Sequence, residues 1–76
     1  MLEDYRDEIA QLRLENAHFA KIVDEHKELN ELIDNANKKR VNLSDEEIER
    51  LKRKKLLLKD KIYHMIIEFR KEKMEA

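Results

Sequence analysis

The sequence predicts an all-α fold, an antiparallel two-helix hairpin of coiled-coil type that self-associates into a helical bundle. Of the 76 residues, 46% are charged and 41% are apolar, a composition typical of long helices and coiled coils. Apolar residues recur at steps of three and four nearly from end to end. The absence of Gly and Pro removes the usual residues of β-turns. We therefore predict a single domain, residues 1–76, with a helix at about 3–37, a loop at about 38–43 and a helix at about 45–73.

The first predicted helix carries an apolar pattern that changes partway along it. Tyr5, Ile9 and Leu12 follow helical spacing, but from Phe19 onward a neighbouring row of apolar residues takes over. A helix of 3.6 residues per turn drifts in this way against a seven-residue pattern, and a break in the helix has the same effect. Asn16 can cap a new helix, since its side chain can accept from free N–H groups of a first turn. A continuous helix and a helix split near residue 16 are both open at this point.

The second predicted helix has the clearest start signal in the chain. Residues 38–40 are all cations, which suit the C-terminal end of the preceding helix dipole. Ser44 can cap the next helix, Glu47 completes a capping box, and Leu43 can pack onto Ile48 as a hydrophobic staple. The apolar stripe that follows contains Ile48, Leu51, Leu58, Ile62, Met65 and Phe69. A connection this short favours antiparallel neighbours.

The distribution of charge favours the same pairing of helices. Residues 2–36 carry a formal charge of −6, whereas residues 37–55 carry +4. Folding the chain about residue 40 places the acidic helix beside the basic start of the next one, with His26 opposite Lys55. We predict ion pairs between the two helices, which set direction and register more than they add stability. The acidic members are Asp24, Glu25, Glu28, Glu31 and Asp34.

Part of the second helix lies outside the stripe that a hairpin can bury. These off-stripe residues are Leu56, Leu57, Tyr63, Ile66 and Ile67. An exposed apolar patch usually marks a binding site, so we predict an interaction surface around Leu57, Tyr63, Ile66 and Ile67. The expected occupant is another copy of the chain, giving a dimer or tetramer, or a helical protein partner. The predicted function is a small non-enzymatic interaction or structural module.

The composition argues against several other classes of protein. Without Gly there is no phosphate-cradling loop and no nucleophile elbow. Without Cys there is no disulfide, thiolate zinc site or cysteine nucleophile. We expect no enzyme activity and no cofactor. No signal peptide is visible and no apolar run is long enough for a membrane span, so we expect a cytoplasmic protein.

Two alternative functions have candidate residues. The candidate metal ligands on facing helices are His18, His26 and His64. Metal sites on helices use ligands three or four residues apart, but the residue four positions after His18 is Ile22, so structural roles are favoured for the histidines. A basic segment is a candidate site for nucleic acid or an acidic partner, and its residues are Arg50, Lys52, Arg53, Lys54 and Lys55. Consecutive cations on a helix point in different directions, the net charge is −1 and no aromatic residue lies among them. A solvated, paired face is therefore favoured, and nucleic-acid binding is disfavoured.

Short motifs in a fixed order give the chain a family resemblance. They are Tyr5-Arg6-Asp7, His18-Phe19, Asp24-Glu25-His26, Glu28-Leu29, Ser44-Asp45-Glu46-Glu47-Ile48, Lys55-Leu56, Leu58-Lys59-Asp60 and Ile62-Tyr63. Nearly the whole chain thereby resembles the YdcH-like family, short bacterial proteins classed as a domain of unknown function. Asn30 stands where that family leads us to look for Asp, and the tail after Tyr63 is longer and more apolar. The resemblance implies an α-helical hairpin with no established activity.

Overall fold

The computed structural model describes residues 2–75 and is all α within that range, as predicted. A 3₁₀ turn, Leu2–Tyr5, leads into three α-helices in the described part: α1 (Arg6–Glu15), α2 (Ala17–Asn37) and α3 (Asp45–Glu75). The molecule measures 49 × 21 × 17 Å, and α3 with its 31 residues spans about 46 Å of that length. The prediction of only two helices is wrong, because the first predicted helix is divided into α1 and α2.

The division lies at Asn16, whose backbone is extended with φ −138° and ψ 105°. Its N–H donates to the carbonyl oxygen of Leu12 at 2.9 Å, which closes the last turn of α1. Its side-chain Oδ1 accepts from the N–H of Phe19 at 3.1 Å, which caps the first turn of α2. The alternative of a helix split near residue 16, with Asn16 as the cap, is therefore confirmed.

Because of this break, α1 folds back against both longer helices. Arg13 Nη2 lies 3.0 Å from a carboxylate oxygen of Asp24. In a continuous helix these two residues are separated by about 16 Å along the axis, beyond the reach of their side chains. At the other end of α1, the ring of Tyr5 meets the ring of Tyr63 edge to face, with centroids 5.4 Å apart. The guanidinium carbon of Arg70 lies 5.4 Å from the same Tyr5 ring, so α1 covers residues 63–70 of α3.

The turn after α2 reverses the chain without glycine. Lys39 adopts the left-handed conformation with φ 59°, which costs a non-glycine residue roughly 1–2 kcal/mol. The N–H of Arg40 donates to the carbonyl oxygen of Asn35 at 2.8 Å, and the N–H of Lys39 donates to that of Ala36 at 3.1 Å. These two bonds form a Schellman motif, which satisfies carbonyls that the helix end leaves free.

α3 begins where the capping signal places it. The Oγ of Ser44 accepts from the N–H of Glu47 at 3.2 Å, so the predicted cap is confirmed. Leu43 and Ile48, the predicted staple, are both half-buried. α3 then continues to Glu75, two residues beyond the predicted end.

The core joins all three helices at the end of the molecule away from the loop. Its buried members are Leu12, Phe19, Ile22, Leu58, Ile62, Ile66 and Phe69, and Phe19, Ile62 and Ile66 are fully buried. The expectation that Ile66 stays exposed in a single chain is wrong. Leu58, Ile62 and Ile66 are spaced four residues apart, so the row that they form turns gradually around α3. α1 packs on the side of α3 toward which this row turns, and it therefore covers Ile66. A hairpin of two straight helices lacks that cover.

The predicted ion pairs between α2 and α3 are not formed among the described residues. Asp24 instead pairs with Arg13 of α1, and Asp34 pairs with Lys38 at 3.0 Å within the end of α2. The polar contact between α2 and α3 is a hydrogen bond from Lys55 Nζ to Asn30 Oδ1 at 3.3 Å. This bond agrees with an antiparallel pair, but it lies one helical turn from the predicted level of Lys55.

We predict that Asn16→Ala lowers the free energy of unfolding by about 1 kcal/mol, since the Phe19 N–H loses its side-chain partner. Urea unfolding followed by circular dichroism measures the change. Asn16→Asp retains an acceptor at the same place and serves as the matched control. An alanine variant as stable as the wild type would contradict the capping role.

The neighbours Ile66 and Ile67 provide a second, internally matched test. Ile66 is 0% exposed and Ile67 is 41% exposed. We expect Ile66→Ala to destabilise the chain by about 2–5 kcal/mol through the cavity it leaves, and Ile67→Ala to change stability by less than about 1 kcal/mol. Thermal unfolding of both variants measures the difference. Equal losses of stability in the two variants would contradict the placement of Ile66 inside the core and of Ile67 outside it.

Candidate interaction surface

The predicted interaction surface on α3 is divided by the way α1 packs. Leu57 is 65% exposed and Ile67 is 41% exposed, as is the adjacent Leu56 at 56%. Tyr63 is half-buried against Tyr5, and Ile66 belongs to the core. Of the off-stripe residues, Leu56, Leu57 and Ile67 are therefore exposed, and Ile66 is not.

A second apolar feature is an open groove between α2 and α3, near the loop that joins them. It consists of two adjoining depressions of about 270 Å³ and about 360 Å³, which share Leu32. We call it the leucine groove; its lining residues are Glu25, Glu28, Leu29, Leu32, Leu43, Glu47, Arg50, Leu51 and Lys54. All four of its leucines are half-buried.

Sequence reasoning missed this groove because it assigned its residues to other roles. Leu43 is predicted as a staple, Leu51 as part of the buried stripe and Leu29 as part of the apolar row that takes over after Phe19. The available signal was the clustering of four leucines on both sides of the loop. Two helices meeting along a single line leave the flanks of such residues open.

The leucine groove is flanked by an acidic wall on α2 and a mainly basic wall on α3. Glu25 and Glu28 stand on the α2 wall, and Arg50 and Lys54 stand on the α3 wall, where Glu47 lies nearest the loop. Leu57 follows Lys54 by three residues on α3, so it continues the same face beyond the groove. An apolar floor with charged rims is the arrangement by which a helix is received in a groove.

The basic segment is only partly a single surface. Arg50, Lys52, Arg53 and Lys54 are exposed, whereas Lys55 is half-buried and donates to Asn30. Arg50 and Lys54 are four residues apart and both line the leucine groove, while Lys52 does not line it. Phe19 and Phe69 are buried, and the half-buried Tyr5 and Tyr63 contact each other rather than the basic segment.

The three histidines are not brought together. His18 is exposed on α2, and His64 is exposed on α3 beside Asn16, in a separate groove of about 390 Å³. His26 is half-buried between the long helices, where burial and then the charges of Lys55 and Lys59 lower its pKa below the usual value. In the described range, no three His, Asp or Glu side chains are grouped so that they can hold a metal ion.

The helices can also be compared with the dimensions of a bilayer. None of the helices in residues 2–75 combines the length and the apolar character that crossing a membrane requires.

Comparison with known proteins places the long hairpin in a family. Residues 19–66 match the model of a family described as "Protein of unknown function (DUF465)". The matched range contains all but the first two residues of α2, the loop and α3 as far as Ile66, and therefore the whole leucine groove. The comparison with curated proteins and the comparison with solved structures each gave no match.

The lowered pKa of His26 predicts a pH dependence of stability. The pKa of His26 is lower in the folded chain than in the unfolded chain. At a pH near these values, the unfolded state therefore binds more protons than the folded state does. The free energy of unfolding should therefore be constant above about pH 7 and fall as the pH drops through about 6.5.

Urea unfolding between about pH 5 and pH 8 measures this dependence, above the range in which most carboxylates titrate. We expect His26→Gln to flatten the profile, since glutamine is neutral throughout. His18→Gln, at an exposed histidine of the same helix, is the matched control for the substitution itself. An unaltered slope in His26→Gln would refute the assignment.

Proposed function

The chain belongs to the DUF465 family, and from that premise we propose that it is a small, non-enzymatic helical module for protein–protein interaction, which self-associates in the cytoplasm. The observation that carries the proposal is the exposure of Leu56, Leu57 and Ile67 on the outward side of α3 after α1 and α2 have packed. The resemblance to YdcH-like proteins agrees with the family match over residues 19–66.

The grouping of the exposed residues supports binding more than their number does. Single exposed leucines are common on protein surfaces and carry no implication by themselves. Leu56 and Leu57 are adjacent in sequence, however, and Leu57 lies one turn beyond Lys54, which lines the leucine groove. Exposed leucines beside an open apolar groove are a usual mark of an interaction site.

A non-enzymatic role is supported by the state of the groups that could react. The Ser44 hydroxyl is engaged as the cap of α3. His26 stands next to two lysines, and the chain has no cysteine to serve as a nucleophile. The carboxylates at the leucine groove lie on open helix faces, where water is not excluded from them.

A protein partner agrees better with the charges of the groove than a nucleic acid does. Arg50 and Lys54 could approach phosphates, but Glu25 and Glu28 share the groove with them and repel a phosphate backbone. A partner with both signs of charge satisfies both walls. Another copy of this chain has both.

Light scattering on a sizing column, over a range of concentrations, tests the proposal. We expect a mass of two or four times the 9.3 kDa chain, unchanged by a chelator. Leu57→Gln should weaken the assembly roughly tenfold, because burying a leucine side chain in an interface strengthens binding by about tenfold or more. Leu14→Gln is the matched control, because Leu14 is 90% exposed and lies on α1.

The contrary result is a folded monomer at every concentration. Circular dichroism of the same samples establishes that the chain is helical, so that a monomeric mass cannot be attributed to unfolding. A helical monomer would overturn self-association and direct the search to a different protein partner.

A further inference from the structure

We propose that a second copy of this chain docks in the leucine groove, with α2 of one protomer lying over α3 of the other and both α2–α3 loops at the same end. The inference rests on the proposed self-association and specifies its surface and geometry. It concerns the loop-proximal half of the hairpin, where α2 and α3 are the only helices that line the groove in the described chain.

The groove is open because α1 is placed at the other end of the hairpin. Tyr5, directly before α1, contacts Tyr63 and lies under the Arg70 guanidinium, and Leu12 of α1 packs in the core with Phe69. α1 therefore supplies a third layer over the far half of α3 only. Toward the loop the two long helices have no third layer, and the leucines of the groove stay half-buried. A second hairpin can supply that missing layer.

Symmetry restricts how a surface can cover a copy of itself. A closed dimer is related by a two-fold axis, and the same patch is then used on both protomers. With the axis in the plane of the contact, there are two limiting arrangements. An axis across the helices lays α2 over α2 and α3 over α3. An axis along the helices lays each α2 over the other protomer's α3.

The charges of the groove select between these arrangements. Centred on the level of Glu28 and Lys54, the first lays Glu28 over Glu28 and Lys54 over Lys54 of the second copy. It also moves Glu47 away from the partner's basic residues 38–40, because the two loops then lie at opposite ends. The second places the acidic wall of each protomer over the basic wall of the other. Like charges placed opposite each other weaken association, whereas opposite charges fix register and orientation. The second arrangement is therefore the one that the groove favours.

The register within one hairpin indicates which residues meet. Glu28 and Lys54 line the same depression, so they lie at the same level along the hairpin. Rotation about an axis along the helices preserves that level. Glu28 then faces the partner's Lys54, and the contact occurs twice in the dimer. At the loop end, basic residues 38–40 come close to the partner's acidic residues 45–47.

Mixing two charge-reversal variants tests this pairing between chains. Glu28→Lys alone places two lysines at each contact of its homodimer, and Lys54→Glu alone places two glutamates there. We expect each variant to dimerise roughly tenfold more weakly than the wild type. An equimolar mixture should recover a heterodimer, because both of its contacts then join a lysine to a glutamate. Each chain keeps its own altered charge, so repair within a chain cannot produce the recovery.

Glu31→Lys is the matched control for the reversal of Glu28. Glu31 is an exposed glutamate of α2, but it lines a different depression together with Lys55 and Asn30. We expect this variant to dimerise like the wild type and to gain nothing from mixing with Lys54→Glu. Circular dichroism of each sample establishes that the helices are retained.

The placement of the two loops is measured independently with spin labels. The chain has no cysteine, so Asn42→Cys in the exposed loop gives a single labelling site. Loops at the same end predict a distance between labels of about 25 Å or less, two or three helix spacings. Loops at opposite ends predict more than about 30 Å, because each loop then lies about 15 Å beyond the level of Glu28 on its own side of the contact.

The outcomes separate this inference from the proposed function. A wild-type oligomer with long label distances, or one that neither charge reversal weakens, would overturn the docking geometry and leave self-association standing. Failure of the mixture to recover while each variant weakens alone would also overturn the pairing of Glu28 with the partner's Lys54. A monomeric wild-type chain would remove both proposals.

Discussion

The conformation of Asn16 is the constraint on which the rest of the molecule depends. Its extended backbone ends α1, and its side chain caps α2 in the same place. This turns α1 out of the line of α2, so that the short helix packs on α3 around residues 63–70. Burial of Ile66 and the division of the predicted α3 surface both follow from that cover. The open leucine groove follows as well, because a helix of ten residues, about 15 Å long, shields only part of a helix three times its length.

The charges of the long helices have a different role from the one their sequence suggests. Acidic α2 lies beside basic α3, yet among the described residues the two helices form no ion pair with each other. Asp24 and Asp34 are occupied by Arg13 and Lys38 instead. Exposed ion pairs contribute little to stability, so the hairpin loses little by leaving the remaining charges free for solvent. The segregation that results leaves an acidic wall and a mainly basic wall on one face, which suits recognition better than it suits folding.

Local signals in the sequence predicted the local structure well. The caps at Asn16 and Ser44 depend on residues within one turn of each other, so their spacing alone is informative. The burial of Ile66 was not predictable in this way, because it depends on which side of α3 is covered by a helix fifty residues away. The left-handed Lys39 has no marker in the sequence either, since lysine avoids that conformation unless the surrounding turn imposes it. For the candidate surface, Leu57 and Ile67 were recognised from periodicity, whereas the groove required knowledge of where α1 packs.

The four half-buried leucines of the leucine groove either remain exposed to solvent or are covered by another helix. Filling the groove from within the chain needs a longer or differently placed α1, and α1 is fixed at both ends by Arg13 with Asp24 and by Tyr5 with Tyr63. Neither contact allows α1 to move toward the loop without losing aromatic packing and core burial at the far end. Filling it from outside needs an apolar helix with an acidic edge facing Lys54 and a basic edge facing Glu28. Within this chain the α2–α3 hairpin itself has an apolar surface with an acidic edge and a basic edge, so the surface that lacks a third layer is chemically complementary to itself.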